Sequence, residues 1–250
     1  MGDKASAMVG RVRGNLGEVR DEMVKRHLVL NLAGIANGFA AKHLFDAMAV
    51  APGVEPRVMA AVEVCCERSI QRFFCLGNNR QEQERGELFD AFKIGELFDE
   101  ALGRISTDES ESGWRPQIEA KVDGPNCWEQ GKNLIVCCRE THARTVALVA
   151  GAWHTPRAWL TCVKCLLTEW RSDDGDMPLV LPYLVNVGVC GEFVRGATAL
   201  HQQDGYKPGA FGDIVAAEVE RCIRYEGNVA SVEDVMAYLS QPHFEGRFTP

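Results

Sequence analysis

Apolar residues recur at three- and four-residue intervals along much of the chain, which is the spacing of one buried helix face. Residues 57–76 show the pattern with Val58, Val62 and Cys65 on one face. Alternating apolar and polar residues, the pattern of a half-buried strand, are scarce. The spacing predicts helices over residues 18–32, 35–50, 57–76, 87–105, 133–150, 156–170, 180–202, 209–225 and 231–239.

We therefore expect a mostly α-helical protein, a multi-helix bundle in two parts. The larger N-terminal domain spans residues 1–171 and contains a polar loop at about 106–127, with a short strand over 117–122. A polar linker at 172–177 leads to a smaller C-terminal helical domain, residues 178–250. The last helix begins with a capping box, in which Ser231 precedes Asp234 by three residues.

Composition narrows the class of protein. The chain has 250 residues, 46% of them hydrophobic, which is too apolar for wholesale disorder. The longest stretches without a charged residue are 15 residues, shorter than a membrane-spanning helix needs. A net charge of −8 disfavours a free nucleic-acid binder. No secretory leader is evident, so we expect reduced cysteines in a cytoplasmic setting.

Charge is distributed unevenly along the chain. The net charge is +2 over residues 1–60, −7 over residues 61–130 and −3 over residues 131–250. The basic residues predicted to contact an anionic membrane surface or a partner are Lys4, Arg11, Arg13, Arg20, Lys25 and Arg26. The acidic residues predicted to contact another copy of the chain are Glu87, Asp90, Glu96, Asp99 and Glu100. Solvated helix faces are the alternative interpretation of both sets.

A zinc site is the first chemical possibility that the cysteines suggest. Cys162 and Cys165 form a C-x-x-C pair, and Cys138 with His142 could complete four ligands. Within an amphipathic helix, however, two such cysteines are more often small core residues. We therefore expect no cofactor, with zinc as the weaker alternative.

A nucleophilic Cys/His pair is a second possibility, because His142 and His154 lie near Cys137 and Cys138 in the sequence. Nothing in the spacing specifies which histidine would serve. Phosphate loops, dinucleotide fingerprints and serine-hydrolase elbows are absent. The sequence therefore predicts a protein without catalytic activity.

Several segments resemble the matrix protein family of orthomyxoviruses (the influenza type), in the same order and at comparable spacing. The matching segments are Ala33-Gly34, the Pro52/Pro56 turn, ERSIQR at residues 67–72, GAWHTPRAWL at residues 151–160 and the pair Cys162-x-x-Cys165. The resemblance implies a two-part helical structural protein that self-assembles beneath the viral envelope. Such a protein contacts anionic lipid on one side and viral ribonucleoprotein on the other, in the virion and in the host cell interior.

The chain departs from that family in two places. Residues 86–105 are acidic where the family has a basic helix, so nuclear import or RNA contact through this face is not supported. The family has two histidines soon after its C-x-x-C, whereas the next histidine here is His201, so the family's zinc site is not supported. The alternatives to a matrix protein are a helical adaptor or accessory subunit of a larger complex and a Cys/His metal-binding protein.

Overall fold

The structure, a computed structural model, corrects the predicted fold class. It describes residues 45–53, 55–78, 83, 84, 86, 88–105, 114–151, 154–183, 185, 218 and 220–244. In these residues a parallel β-sheet alternates with helices, so the protein is α/β and the prediction of a mostly helical, all-alpha bundle is wrong.

Five strands form the sheet in the described part of the chain, in the spatial order β3-β2-β1-β4-β5. The strands are β1 (Ala47–Val50), β2 (Arg72–Cys75), β3 (Gln117–Ala120), β4 (Thr145–Val149) and β5 (Leu179–Tyr183). All neighbouring pairs are parallel, with Ala47 opposite both Arg72 and Val146. Each connection therefore crosses over the sheet, and here each crossover contains a helix.

The helices are α1 (Glu55–Glu67), α2 (Ala91–Ile105), α3 (Cys127–Thr141), α4 (Thr155–Glu169) and α5 (Val232–Leu239). Helix α1 packs against α2, and α3 packs against α4. The first two crossovers run towards the β3 edge of the sheet and the last two run towards the β5 edge, so right-handed connections place the two helix pairs on opposite faces. This is a doubly wound sheet.

The central strands explain why the helical prediction failed. All four residues of β1 are buried, as are Val146 to Val149 in β4. A parallel strand covered by helices on both faces has no polar side, so its sequence is a continuous apolar run. Such a run extends the apolar pattern of the neighbouring helix. The predicted helices over 35–50, 57–76, 133–150 and 180–202 therefore each included residues that form a strand in the structure.

Three sequence predictions are confirmed by the structure. A strand lies within residues 117–122, at Gln117–Ala120. Helix α4 occupies nearly the span predicted from residues 156–170. Ser231 caps α5 by accepting from the Asp234 amide at 3.1 Å, and the Asp234 carboxylate accepts from the Ser231 amide at 3.0 Å.

The polar segment predicted as a linker, 172–177, contains a short 3₁₀ helix at Ser172–Asp174. It leads directly into β5, which pairs with β4. Helix α5 then packs against α4. The residues described on both sides of this segment thus share one sheet and one core.

A buried tyrosine fastens α5 to the edge of the sheet. The Tyr238 hydroxyl accepts from the Val180 amide at 2.6 Å and donates to the Pro178 carbonyl at 2.7 Å. Nearby, the Trp159 indole donates to the Val180 carbonyl at 2.9 Å. These bonds satisfy polar groups at a site from which water is excluded.

We expect Tyr238→Phe to destabilise the fold by about 1–3 kcal/mol, because it leaves a buried amide and a buried carbonyl without their partner. Urea unfolding followed by circular dichroism measures the loss. Tyr225→Phe is the matched control, since Tyr225 is 46% exposed, and we expect it to change stability little. Equal effects of the two substitutions would contradict this role of Tyr238.

Candidate functional site

A cleft opens at the carboxyl-terminal edge of the sheet, where β1 and β4 lie side by side. From this point the chain proceeds from β1 towards one edge and from β4 towards the other, which is the switch point at which doubly wound sheets bind ligands. The cleft has a volume of about 470 Å³ and is lined by Ala51 after β1, by the first turns of α3 and α4, and by Glu218, Arg221, Tyr225, Asn228 and Val229. The structure is thus that of an α/β protein with a cleft at this switch point.

Cys127 stands at one wall of the cleft as the first residue of α3. Asn126 caps this helix, because its side-chain oxygen accepts from the Trp128 amide at 3.0 Å and from the Glu129 amide at 3.1 Å. The cap fixes the start of the helix and therefore the direction of the Cys127 side chain. The positive end of the helix dipole favours an anion at this position.

His154 stands at the opposite wall as the residue that precedes α4. The loop after β4 is closed by hydrogen bonds from the His154 and Thr155 amides to the Gly151 carbonyl, both 2.7 Å. The helices approach closely, since a Cβ on Gly131 of α3 would lie 2.6 Å from the Cys165 sulfur of α4. This close packing brings the two walls within hydrogen-bonding distance.

The two walls meet in a chain of three side chains. His154 Nε2 lies 3.2 Å from Cys127 Sγ, and His154 Nδ1 lies 3.2 Å from Glu218 Oε2. The Glu218 side chain is 8% exposed and that of His154 is 17% exposed, so water competes weakly for these bonds. A thiol, an imidazole and a carboxylate in this order are the components of a nucleophile, its base and the group that orients the base.

Arg157, one turn into α4, contacts all three of these groups. Its Nε donates to Glu218 Oε2 at 2.8 Å, and one terminal nitrogen donates to Cys127 Sγ at 3.3 Å. The other terminal nitrogen lies 3.0 Å from His154 Nδ1. Guanidinium nitrogens only donate. We infer that Nδ1 is protonated and donates to Glu218, because an ionised carboxylate is the stronger acceptor. Arg157 and Nδ1 are then two donors in contact with each other.

Charge within the cluster changes the acidity of Cys127. Burial raises its pKa, but the positive charges of His154 and Arg157 and the hydrogen bond from His154 together outweigh burial and lower the pKa to about 7. For His154, burial lowers the pKa, and the Cys127 charge with the bonds to Cys127 and Glu218 raises it overall. Both shifts favour a thiolate on Cys127 beside an imidazolium on His154.

Glu218 is held as a carboxylate by the same cluster. Burial raises its pKa, while the hydrogen bond and charge of His154 and the charge and hydrogen bond of Arg157 lower it well below the usual range. Arg221 also donates to Glu218. A buried carboxylate with these donors remains ionised throughout the physiological range.

Other cysteines in the described part of the chain behave differently. Burial raises the pKa of Cys137 and of Cys165 to about 12. Burial also raises the pKa of Cys138 and of Cys162 above the ordinary thiol value. A buried neutral thiol packs as a small apolar group and is a poor nucleophile.

The zinc ligands suggested by the sequence occupy two environments. Cys138, Cys162 and Cys165 belong to the core, and His142 is an exposed residue with φ 54° at the end of α3. Among the described residues, no group of three or more His, Cys, Asp or Glu side chains could hold a metal ion.

The predicted contact surfaces are described only in part. Lys4, Arg11, Arg13, Arg20, Lys25, Arg26 and Glu87 lie outside the described residues. Asp90, Glu96, Asp99 and Glu100 are exposed on or just before α2. Arg115 pairs with Asp99, and Arg104 pairs with Glu100. The predicted roles of these residues in membrane, partner or copy contacts stay predictions.

Sequence reasoning noticed His154 but considered it together with Cys137 and Cys138. It missed Cys127, Arg157 and Glu218. Two local signals were available, namely Asn126 as a helix cap directly before Cys127 and the spacing of His154 and Arg157 over one helical turn. No local signal connects either of them to Glu218, 64 residues beyond His154.

Comparison with known proteins adds no relative, because no protein-family model and no curated protein matches the chain. In the part of the chain that the structure describes, no helix is both long and apolar enough to cross a bilayer. Neither the fold nor the comparisons support a viral, virion or membrane-associated protein. The orthomyxovirus resemblance and the matrix function that it implies stay predictions without a test.

The electrostatic account predicts that His154→Gln moves the pKa of Cys127 from about 7 towards the ordinary thiol value of 9.0, because a cation and a hydrogen bond to the thiolate are lost. Only the thiolate reacts with iodoacetamide. We therefore expect alkylation of the Cys127 peptide, measured by mass spectrometry against pH, to slow several-fold near neutral pH.

The exposed His142 provides the matched control at the far end of α3. We expect His142→Gln to leave the pH profile of Cys127 alkylation unchanged. If His154→Gln left that profile unchanged as well, the proposed coupling between His154 and Cys127 would be wrong.

Proposed function

We propose that this protein is an enzyme that binds a small anionic substrate in the switch-point cleft and uses His154 for proton transfer. The substrate class is a metabolite that carries a phosphate or carboxylate group. This proposal differs from the expectation of a non-catalytic structural protein that the sequence alone suggested.

This proposal rests on one observation, which is that Arg157, His154 and two helix N-termini converge on one cleft. Helix N-termini attract anions through the positive ends of their dipoles. The α4 N-terminus has no side-chain cap, and its His154 and Thr155 amides donate to the Gly151 carbonyl. An anionic group of a substrate fits the electrostatics of this end of the cleft.

The residues that line the cleft carry a positive balance. They include the three arginines 57, 157 and 221 and two glutamates, together with His154. The cleft volume of about 470 Å³ lies within the range of small-molecule sites. A folded protein or a long polymer would need an extended surface, whereas these residues surround a compact volume.

His154 has the features of an acid/base group. It sits in the cleft wall, its Nδ1 is fixed by the Glu218 carboxylate at 3.2 Å, and its Nε2 points towards Cys127. Fixing one ring nitrogen determines the position of the other, which is how a carboxylate orients a catalytic imidazole. A histidine with this support transfers protons near neutral pH.

Anion binding is tested by thermal unfolding with and without inorganic pyrophosphate as the probe. A ligand at about 100 times its Kd stabilises a protein by about 2.7 kcal/mol, which for this chain length corresponds to a rise in Tm of about 5–10 °C. We expect this rise with pyrophosphate and none with choline at the same ionic strength.

Arg157→Lys tests the residue in the cleft, because lysine keeps the charge but loses the forked geometry of the guanidinium. We expect this variant to remain folded and to lose most of the stabilisation by pyrophosphate. Arg139→Lys is the matched control, since Arg139 pairs with Asp174 about 18 Å along α3 from Cys127. Equal stabilisation of the wild type, Arg157→Lys and Arg139→Lys by pyrophosphate would contradict the proposed site. So would the absence of stabilisation in all three.

A further inference from the structure

Cys127 has a position that anion binding does not require. Its sulfur faces the cleft between His154 Nε2 at 3.2 Å and a terminal nitrogen of Arg157 at 3.3 Å. An anion site gains nothing from a thiolate, since a negative sulfur repels a negative ligand. The arrangement instead resembles a nucleophile with its base and a donor for the charge that develops on the substrate.

We propose that Cys127 is the nucleophile of an acyl-transfer reaction, in which an ester of a small anionic acid transfers its acyl group to the Cys127 sulfur. His154 is the acid and base of this reaction, and Glu218 positions it. The proposal rests on the proposed function, because the cleft must first bind the anionic substrate.

In the first step the thiolate of Cys127 attacks the carbonyl carbon of the ester. A carbon–sulfur bond forms, and the electron pair of the carbonyl bond moves to oxygen. We assign the Arg157 nitrogen that lies 3.3 Å from the sulfur as the donor to that oxygen. The intermediate then expels the alcohol oxygen, which takes the proton of His154 Nε2 as the carbon–oxygen bond breaks.

In the second step water hydrolyses the thioester. His154 Nε2, now neutral, takes a proton from water, and the hydroxide oxygen bonds to the thioester carbon. The carbon–sulfur bond breaks and restores the thiolate beside the imidazolium. The net change is ester plus water to acid plus alcohol, with no redox partner and no cofactor.

Reaction with p-nitrophenyl acetate tests this proposal. We expect a burst of one p-nitrophenolate per chain and one acetyl group on the peptide that contains Cys127. The burst should require Cys127, disappear in Cys127→Ser and persist in Cys66→Ser, since Cys66 is a half-buried cysteine on α1 outside the cleft lining. Acetyl groups spread over several cysteine and lysine peptides would overturn the proposal.

Turnover of the acetyl group separates a catalytic site from a merely reactive thiol. In His154→Gln we expect the thioester on Cys127 to hydrolyse about 100-fold or more slowly than in the wild type, because general base catalysis contributes at least that factor. Hydrolysis at the wild-type rate would overturn the role of His154. If Cys127→Ser fails to fold, the peptide that carries acetyl in the wild type still decides the identity of the nucleophile.

Pyrophosphate binding distinguishes this inference from the proposed function. Stabilisation by pyrophosphate without an acetyl group on Cys127 would overturn the acyl-transfer proposal and leave the anionic site intact. Acetylation and turnover at Cys127 without stabilisation by pyrophosphate would leave the nucleophile intact and overturn the anionic substrate class.

Discussion

The buried carboxylate of Glu218 connects the parts of this site. It accepts from Arg157 and lies beside His154, so one side chain from beyond the sheet fixes His154, which precedes α4, and Arg157 in the first turn of α4. Removing one partner of a buried, hydrogen-bonded ion pair costs about 3–5 kcal/mol, because the other charge remains buried without compensation. The geometry at Cys127 depends on this cluster through His154 and Arg157.

The sheet determines where that cluster forms. Parallel strands direct all their carboxyl ends to one edge, and the change in winding direction between β1 and β4 leaves a gap between the loops that follow them. Helices α3 and α4 both begin at this gap, so Cys127 and His154 are brought together although 27 residues separate them. Fold and chemistry are thus linked by strand order and not by a contiguous motif.

Sequence reasoning succeeded where local physical chemistry decides the structure. The capping pair at Ser231 and the strand at 117–120 have polar signals that can be recognised without tertiary context. It failed for strands such as 145–149, because burial on both faces removes the polar alternation that distinguishes a strand from a helix. It also failed for Cys127 and Glu218, whose roles arise from long-range contacts.

The central claim is that a thiolate on Cys127 and a proton on His154 stabilise each other. The most direct measurement is the protonation of the His154 imidazole by nitrogen NMR across pH, in the wild type and in Cys127→Ser. The account predicts that the pKa of wild-type His154 lies above the ordinary imidazole value, and that it falls when the thiolate is removed. An identical His154 titration in both proteins would contradict the ion pair.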